Sequence, residues 1–228
     1  MNRVNRINRV NCMLARIGIL GGILFSIGDA LLFLTPHFDS EHDARLDWDA
    51  MPVWRFGLSA LVGIAGMFCL LCGVLSMYRA IRERCGRVIC TTWLIGIGGT
   101  VLTAFGHFTL GAWEPLQYKA MKAAGLAAEQ ITQIISAQMP WIYAIDAVTV
   151  LLLTVQFISF QMIVFSGKLG CPKWMFLLGN YTMTAIGFAL YVPLRMIGLQ
   201  GLCGGFESLG EGLMYLIPLL YWKKKGAD

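Results

Sequence analysis

Charge is the scarcest commodity in this chain. Of 228 residues, 14% are Asp, Glu, Lys or Arg and 57% are apolar, whereas a soluble domain carries about 25% charged residues. That shortage excludes a water-soluble globular domain and points to an integral membrane protein. Histidine is nearly absent too, with His37, His42 and His107 the full set. A histidine-rich metal centre therefore has little to draw on. There is no G-x-S-x-G elbow, phosphate-cradling Gly-rich loop, H-E-x-x-H pair or heptad repeat, which sets aside the chemistries those patterns carry. The net charge of +5 does not argue for nucleic acid, because its placement along the chain has a simpler explanation.

What the chain does have is long apolar runs. A spanning helix needs about 20 apolar residues, and six segments qualify, at roughly 15–34, 55–78, 88–112, 140–166, 174–194 and 204–222. Pro36 and Pro52 bracket the first connection, Gly86 lies in the second, and Pro115 and Pro140 bracket the third. Pro172 lies in the fourth, and Pro193 with the GLCGG run marks the fifth. The expected fold is all-α: a polytopic membrane protein with one domain over 1–228 and six transmembrane helices arranged as three consecutive hairpins. The arm MNRVNRINRVNCMLAR precedes an apolar run, as a secretory signal would. That run contains Asp29, exceeds a usual signal core and lacks an A-x-A-like site before Pro36, so a retained first span is expected.

Lysine and arginine set the orientation, since the cytoplasmic side collects them. Arg3, Arg6, Arg9, Arg16, Arg79, Arg82, Arg84, Arg87, Lys168, Lys173, Lys223, Lys224 and Lys225 fall on one side. Arg45, Arg55, Lys119, Lys122 and Arg195 fall on the other. Thirteen against five places both termini in the cytoplasm and the chain in the cell membrane as a multi-pass protein. Arg3, Arg6 and Arg9 are expected among lipid headgroups, gaining about 1 kcal/mol each near anionic lipid. Cys12, Cys85, Cys90 and Cys171 lie on the cytoplasmic side and Cys203 alone near the outer face, so no disulfide joins outer loops. Cys69-x-x-Cys72 reads as small-residue packing beside Gly66 and Gly73.

The first and third spans repeat one another. IGILGGILFSIGDALLFL from Ile17 and IGIGGTVLTAFGHFTLGA from Ile95 share seven of 18 positions at a constant offset of 78. Gly18, Gly22, Ser26 and Asp29 correspond to Gly96, Thr100, Ala104 and His107. Small residues four apart let helices approach closely, and a polar residue three further on shares their face. The fifth span echoes this faintly at Ala185, Gly187 and Phe188. The third connection, Glu114 to Met139, contains LAAEQITQIISAQM, with Ile131, Ile134, Ile135 and Gln138 on adjacent turns. It is expected as an amphipathic helix on the outer surface or over a cavity mouth, or as one packed passively on loops.

Five ionisable residues sit inside the spans: Asp29, His107, Asp146, Glu207 and Glu211. Each costs about 2.5–3.5 kcal/mol at the bilayer centre unless it finds a partner, a proton or water. With the N-terminus inside, all five fall in the outer half, Asp29 about 8 Å from the end of its span. Glu207 and Glu211 are four apart and share a helix face. Arg195, across the short fifth connection, is the expected cation for them, with His107 the second. These six residues are the candidate pocket. One reading is a proton-coupled site that binds or transports a small or amphiphilic molecule. A second is acid–base catalysis on a lipid-like substrate. A third uses the three histidines with Asp39, Glu41 and Asp43 to bind a divalent metal. The fourth has the acids tie helices together, as in a structural or partner-binding subunit. No metal or cofactor is assigned. The expected partners are the lipid bilayer and a small-molecule or lipid ligand, with no nucleic acid.

The GDALLF segment at Gly28–Phe33, GHF at Gly106–Phe108 and a glutamate-bearing last span resemble an uncharacterised family of small bacterial membrane proteins with about six spans. That resemblance implies a fold and a location and no catalytic role. Ceramidase-like zinc hydrolases need more histidines than this chain holds.

Overall fold

The computed structural model of the chain describes residues 3–35 and 48–226, and no β-strand occurs among them. Helix α1 spans Arg3–Phe33 and α2 Val53–Arg84. Helix α3, Arg87–Phe108, continues through a π-helical turn, Thr109–Trp113, into α4, Glu114–Ala123. Helix α5 runs Ala128–Ser166. A 3-10 turn, Lys173–Leu178, leads to α6, Asn180–Met196. A second, Gln200–Gly205, leads to α7, Phe206–Leu213, and α8, Leu216–Lys225.

Among the described residues, four stretches are long and apolar enough to cross a bilayer: Asn5–Phe33, Val53–Arg84, Arg87–Ala123 and Ala128–Ser166. Their lengths depart from expectation for a geometric reason. Helix α5 has 39 residues, which is about 58 Å at 1.5 Å per residue, against about 30 Å of hydrocarbon. The tract expected as a separate surface helix is therefore the first turns of α5 itself. Ile131 and Ile135 are buried there while Ile134 is exposed, so its narrow apolar face is turned into the protein. Pro140 lies inside α5 and Pro193 inside α6, so neither ends a helix. Pro115 starts one, in the first turn of α4, where its missing N–H costs nothing.

The last two expected spans are shorter. Helix α6 has 17 residues and starts at Asn180, because the chain from Lys173 is wound as a 3-10 turn. The sixth is interrupted between Leu213 and Leu216. Pro218 has no N–H to give the Met214 carbonyl, which accepts from Ile217 instead (3.2 Å). The chain there tightens by one residue and re-aims α8.

Helix α1 lies along α2, α3 along α5, and α6 along α7, while α8 returns onto α1 and α2. Glycines set these approaches. A methyl group added at Gly18 would strike Gly73, and one at Gly21 would strike Leu70. About 100° round α1 from Gly21, Gly22 meets Gly212 of α7 in the same way. Helix α1 can therefore sit between α2 and α7 with backbone-level contact on two faces. The repeat read from sequence reappears in this packing. Gly18, Gly21 and Gly28 face Gly73, Leu70 and Gly63, while Gly96, Gly99 and Gly106 face Gln156, Leu153 and Asp146. First-helix positions differ by 78 throughout and their partners by 83.

Polar ties close both ends. At the basic end Arg79 donates to Asn11 Oδ1 (2.7 Å), Tyr221 to Glu83 (2.8 Å), and Lys225 pairs with Glu83. At the other end Arg55 caps the last carbonyls of α1, donating to Leu31 (2.8 Å) and Leu34 (2.9 Å).

Candidate functional site

Two buried polar nodes sit between the helices. In the first, His107 Nδ1 lies 3.0 Å from Asp29 Oδ1, and Ser208 donates to Asp29 Oδ2 at 2.5 Å. His107 Nε2 lies 3.1 Å from Ser59 Oγ and 3.2 Å from the Ser59 carbonyl. The Ser59 hydroxyl itself donates to the Gly28 carbonyl at 2.8 Å. Side chains of α1, α2, α3 and α7 meet here. Room for the imidazole comes from Gly63, where a Cβ would stand 2.5 Å from His107 Cδ2 and 2.6 Å from Nε2. The Asp29 and His107 positions, 78 residues apart and equivalent in the repeat, thus bond to each other.

Proton counting at this node is restrictive. Nε2 faces a carbonyl, which only accepts, and a hydroxyl whose proton is already given to Gly28, so Nε2 carries a hydrogen. Asp29 Oδ1 and Nδ1 then need one further proton between them, whichever atom it rides on. Two lone pairs facing at 3.0 Å would repel.

The second node surrounds Glu211. Gln156 Nε2 and Thr100 Oγ1 each lie 3.3 Å from its Oε2, and Asn180 Nδ2 lies 3.3 Å from its Oε1. Thr100 Oγ1 also lies 2.9 Å from the Gln156 amide. Thr100, Gln156 and Glu211 form a three-sided ring to which threonine and amide supply two hydrogens, in either orientation of the amide. A proton on Glu211 supplies the third. Among the described residues no cation pairs with Glu211. Its neighbours come from α3, α5 and α6, so the two nodes together draw side chains from α1, α2, α3, α5, α6 and α7.

A void of about 10 Å³ joins the nodes. Glu207, Ser208, Glu211, Thr100 and Thr103 form its polar side, and Phe25, Met67 and Leu70 its apolar side. That is about the room one water needs. The sequence of contacts runs His107, Asp29, Ser208, the void, Glu211. Where an open pocket is expected, the space between the nodes is narrow, beside the close approach of α1 and α7 at Gly22 and Gly212. Glu207 borders the void and has no hydrogen-bond partner among the described residues.

Four of the six candidate residues are thus brought together: Asp29, His107, Glu207 and Glu211. Asp146 stands apart, half-buried on α5, with Oδ1 3.5 Å from where a Cβ on Gly106 would be. Arg195 is exposed at the end of α6. Among the described residues Glu211 is met by the neutral side chains of Thr100, Gln156 and Asn180 and not by Arg195. Sequence reasoning passed over Ser59, Gln156 and Asn180. The signal available for the last two was an amide side chain in an apolar run. Ser59 gave none, being one of many small residues on a glycine-rich helix. Among the described residues no three His, Cys, Asp or Glu side chains group as a metal set. His37, His42, Asp39, Glu41 and Asp43 lie outside those residues. All seven cysteines are free thiols.

Asp29, His107 and Ser59 also stand in acid–histidine–serine order. The serine is fully buried and its proton is turned to Gly28, so the hydroxyl is not poised toward a substrate.

No curated protein and no solved structure matches the chain. A family model described as a family of unknown function (DUF6796) matches residues 1–225, consistent with the uncharacterised family anticipated from the GDALLF and GHF segments. The chain belongs to that family.

Proposed function

We propose that this protein is a six-span membrane protein, both termini on the cytoplasmic side of the cell membrane, that binds or transports a small or amphiphilic molecule and couples that step to protons held at Asp29–His107 and at Glu211. One observation carries the reading. Two buried nodes each lack one hydrogen for complete bonding, and a void for a single water separates them. Chains of Asp, Glu and His inside spans are the usual material of proton relays. The interrupted sixth span adds support, since discontinuous helices line the substrate sites of many transporters, and α7 carries both glutamates. The narrow void corresponds to an occluded form, and separation of α7 from α1 would widen it. The thirteen Lys and Arg residues assigned to one side support the orientation.

The test is reconstitution into liposomes loaded with a pH-sensitive dye, with a potassium–valinomycin potential imposed. Wild-type protein should change the internal pH, and Asp29→Asn and Glu211→Gln should each slow this by about tenfold or more. Infrared difference spectra should show a protonated carboxyl band that Glu211→Gln removes. Unaltered proton movement in both variants, with lowered melting temperatures, would sink the coupling and leave the nodes as helix ties.

A membrane-embedded enzyme acting on a lipid-like substrate is the second reading, with His107 and Asp29, 3.0 Å apart, as acid and base. Conversion of added lipid by the wild-type protein in detergent, where no gradient exists, and its loss in Asp29→Asn would support it over transport.

A further inference from the structure

At the basic end, a second and larger cavity of about 400 Å³ lies between the first turns of α1 and the last turns of α8. Asn5, Asn8, Arg9, Arg16 and Lys223 form its polar wall. Three of these are cations, and no carboxylate lines the cavity among the described residues, so its field selects anions. The neighbouring cations are already engaged: Arg79 with Asn11, Arg84 with Tyr221, and Lys225 with Glu83. Arg9, Arg16 and Lys223 have no ion-pair partner among the described residues. Arg9 and Arg16 are about two helical turns apart and share a face of α1, roughly 10 Å from one to the other. Lys223 faces them from α8. Asn8, only 3% exposed, donates to the Lys225 carbonyl at 3.2 Å and fixes the two helices at this separation.

The cavity also has an apolar wall, which includes Met13 and Trp222. Met13 is 53% exposed while Trp222 is buried, held by its indole N–H to the Ser76 carbonyl at 3.3 Å. The apolar run of the first span begins at Ile17, one residue beyond Arg16. Helix α1 is about 46 Å long against about 30 Å of hydrocarbon, so its first turns stand clear of the apolar layer. A cavity with cations on one wall and an apolar surface on the other, set at that boundary, has the two-sided chemistry of a phospholipid headgroup with its glycerol stem.

We infer that this cavity binds the phosphate of an anionic phospholipid. The proposal is independent of the proton nodes at the other end. It is tested with the purified full-length chain, stripped of lipid in detergent, by titration with short-chain phosphatidylglycerol, short-chain phosphatidylcholine and inorganic phosphate. Phosphatidylglycerol should bind saturably and most tightly. Arg9→Gln/Arg16→Gln should weaken it by about 30-fold, at about 1 kcal/mol for each of the two basic residues lost. Arg82→Gln/Arg87→Gln removes the same charge from exposed positions outside the cavity and should change affinity by less than about twofold. Lys223→Gln, at an exposed position of α8, repeats the test without altering α1. Equal affinity for phosphatidylcholine, or equal losses in the two double variants, would overturn the site. Inorganic phosphate binding as tightly as phosphatidylglycerol would overturn the lipid assignment in favour of the free anion.

Discussion

At corresponding places in two hairpins, Gly28 of α1 faces Gly63 of α2, and Gly106 of α3 faces Asp146 of α5. The backbones keep one register and the chemistry differs. In the α1–α2 hairpin the space beside Gly63 is taken by His107, which enters from α3 and bonds Asp29 and Ser59. In the α3–α5 hairpin the equivalent space carries its own carboxylate, and among the described residues no side chain bonds to it. Glycine pairs set how near two helices come, and the neighbouring hairpin decides what fills the gap. The first hairpin therefore gains a polar node built from four helices, while the second keeps an acid at its margin.

The sharpest way to break this comparison is to remove each acid in turn. Asp29→Ala strips a buried histidine of its carboxylate and leaves Ser208 without an acceptor, so it should destabilise by about 3–5 kcal/mol. Asp146→Ala removes a half-buried side chain with no described partner and should stay within about 0.5 kcal/mol. Unfolding midpoints in detergent measure both. Comparable losses would mean that Asp146 is structurally engaged and that the two hairpins do not differ as described.

Adding a methyl group at the two glycines sharpens the same contrast at smaller scale. In Gly63→Ala the new Cβ would press on the His107 ring, so the imidazole must shift, at about 1–3 kcal/mol. In Gly106→Ala the Cβ would meet Asp146 Oδ1 at 3.5 Å, an ordinary contact. Alanine is the better helix former by about 1 kcal/mol, so this substitution should be neutral or mildly stabilising. A stable Gly63→Ala with the His107 imidazole resonance unmoved would show that the ring has slack the geometry does not reveal.

Apolar runs of spanning length made the helices legible in the sequence, and the G-x3-G spacing made the close approaches legible too. The offset of 78 between Asp29 and His107 anticipated equivalent positions, although nothing in it says that the two side chains touch. Proline misled in both directions. Pro140 and Pro193 lie inside helices, while Pro218, within the last apolar run, interrupts it because it has no N–H for the Met214 carbonyl, which Ile217 takes instead. Of the candidate site, Asp29, His107, Glu207 and Glu211 were legible because charge in an apolar run is rare. Arg195 was proposed by its nearness in sequence, whereas the partners that meet Glu211 are neutral side chains from three other helices. Ser59, Gln156 and Asn180 are uncharged, and only packing shows which of many such residues meet an acid.

Outside the spans, the end of the molecule beyond Asp29 offers the weakest contrast. Asp49 lies 2.5 Å from Lys122 of α4, and both side chains are substantially exposed. The hydrogen bond from Lys122 holds the Asp49 carboxyl below its usual 3.8, assisted by Tyr118 at 3.2 Å. A depressed carboxyl contributes stability that is complete above its unfolded value and is lost as pH falls through the folded one. Lys122→Gln should therefore lower the melting temperature slightly at about pH 7, since exposed pairs contribute little. That difference from wild type should shrink toward zero at about pH 3, below the usual carboxyl range. Subtracting the two melting curves cancels the buried acids, whose titration is common to both proteins. A difference that persists unchanged at low pH would assign Lys122 a packing role, and α4 would then be held to the rest by its aliphatic stems and not by charge.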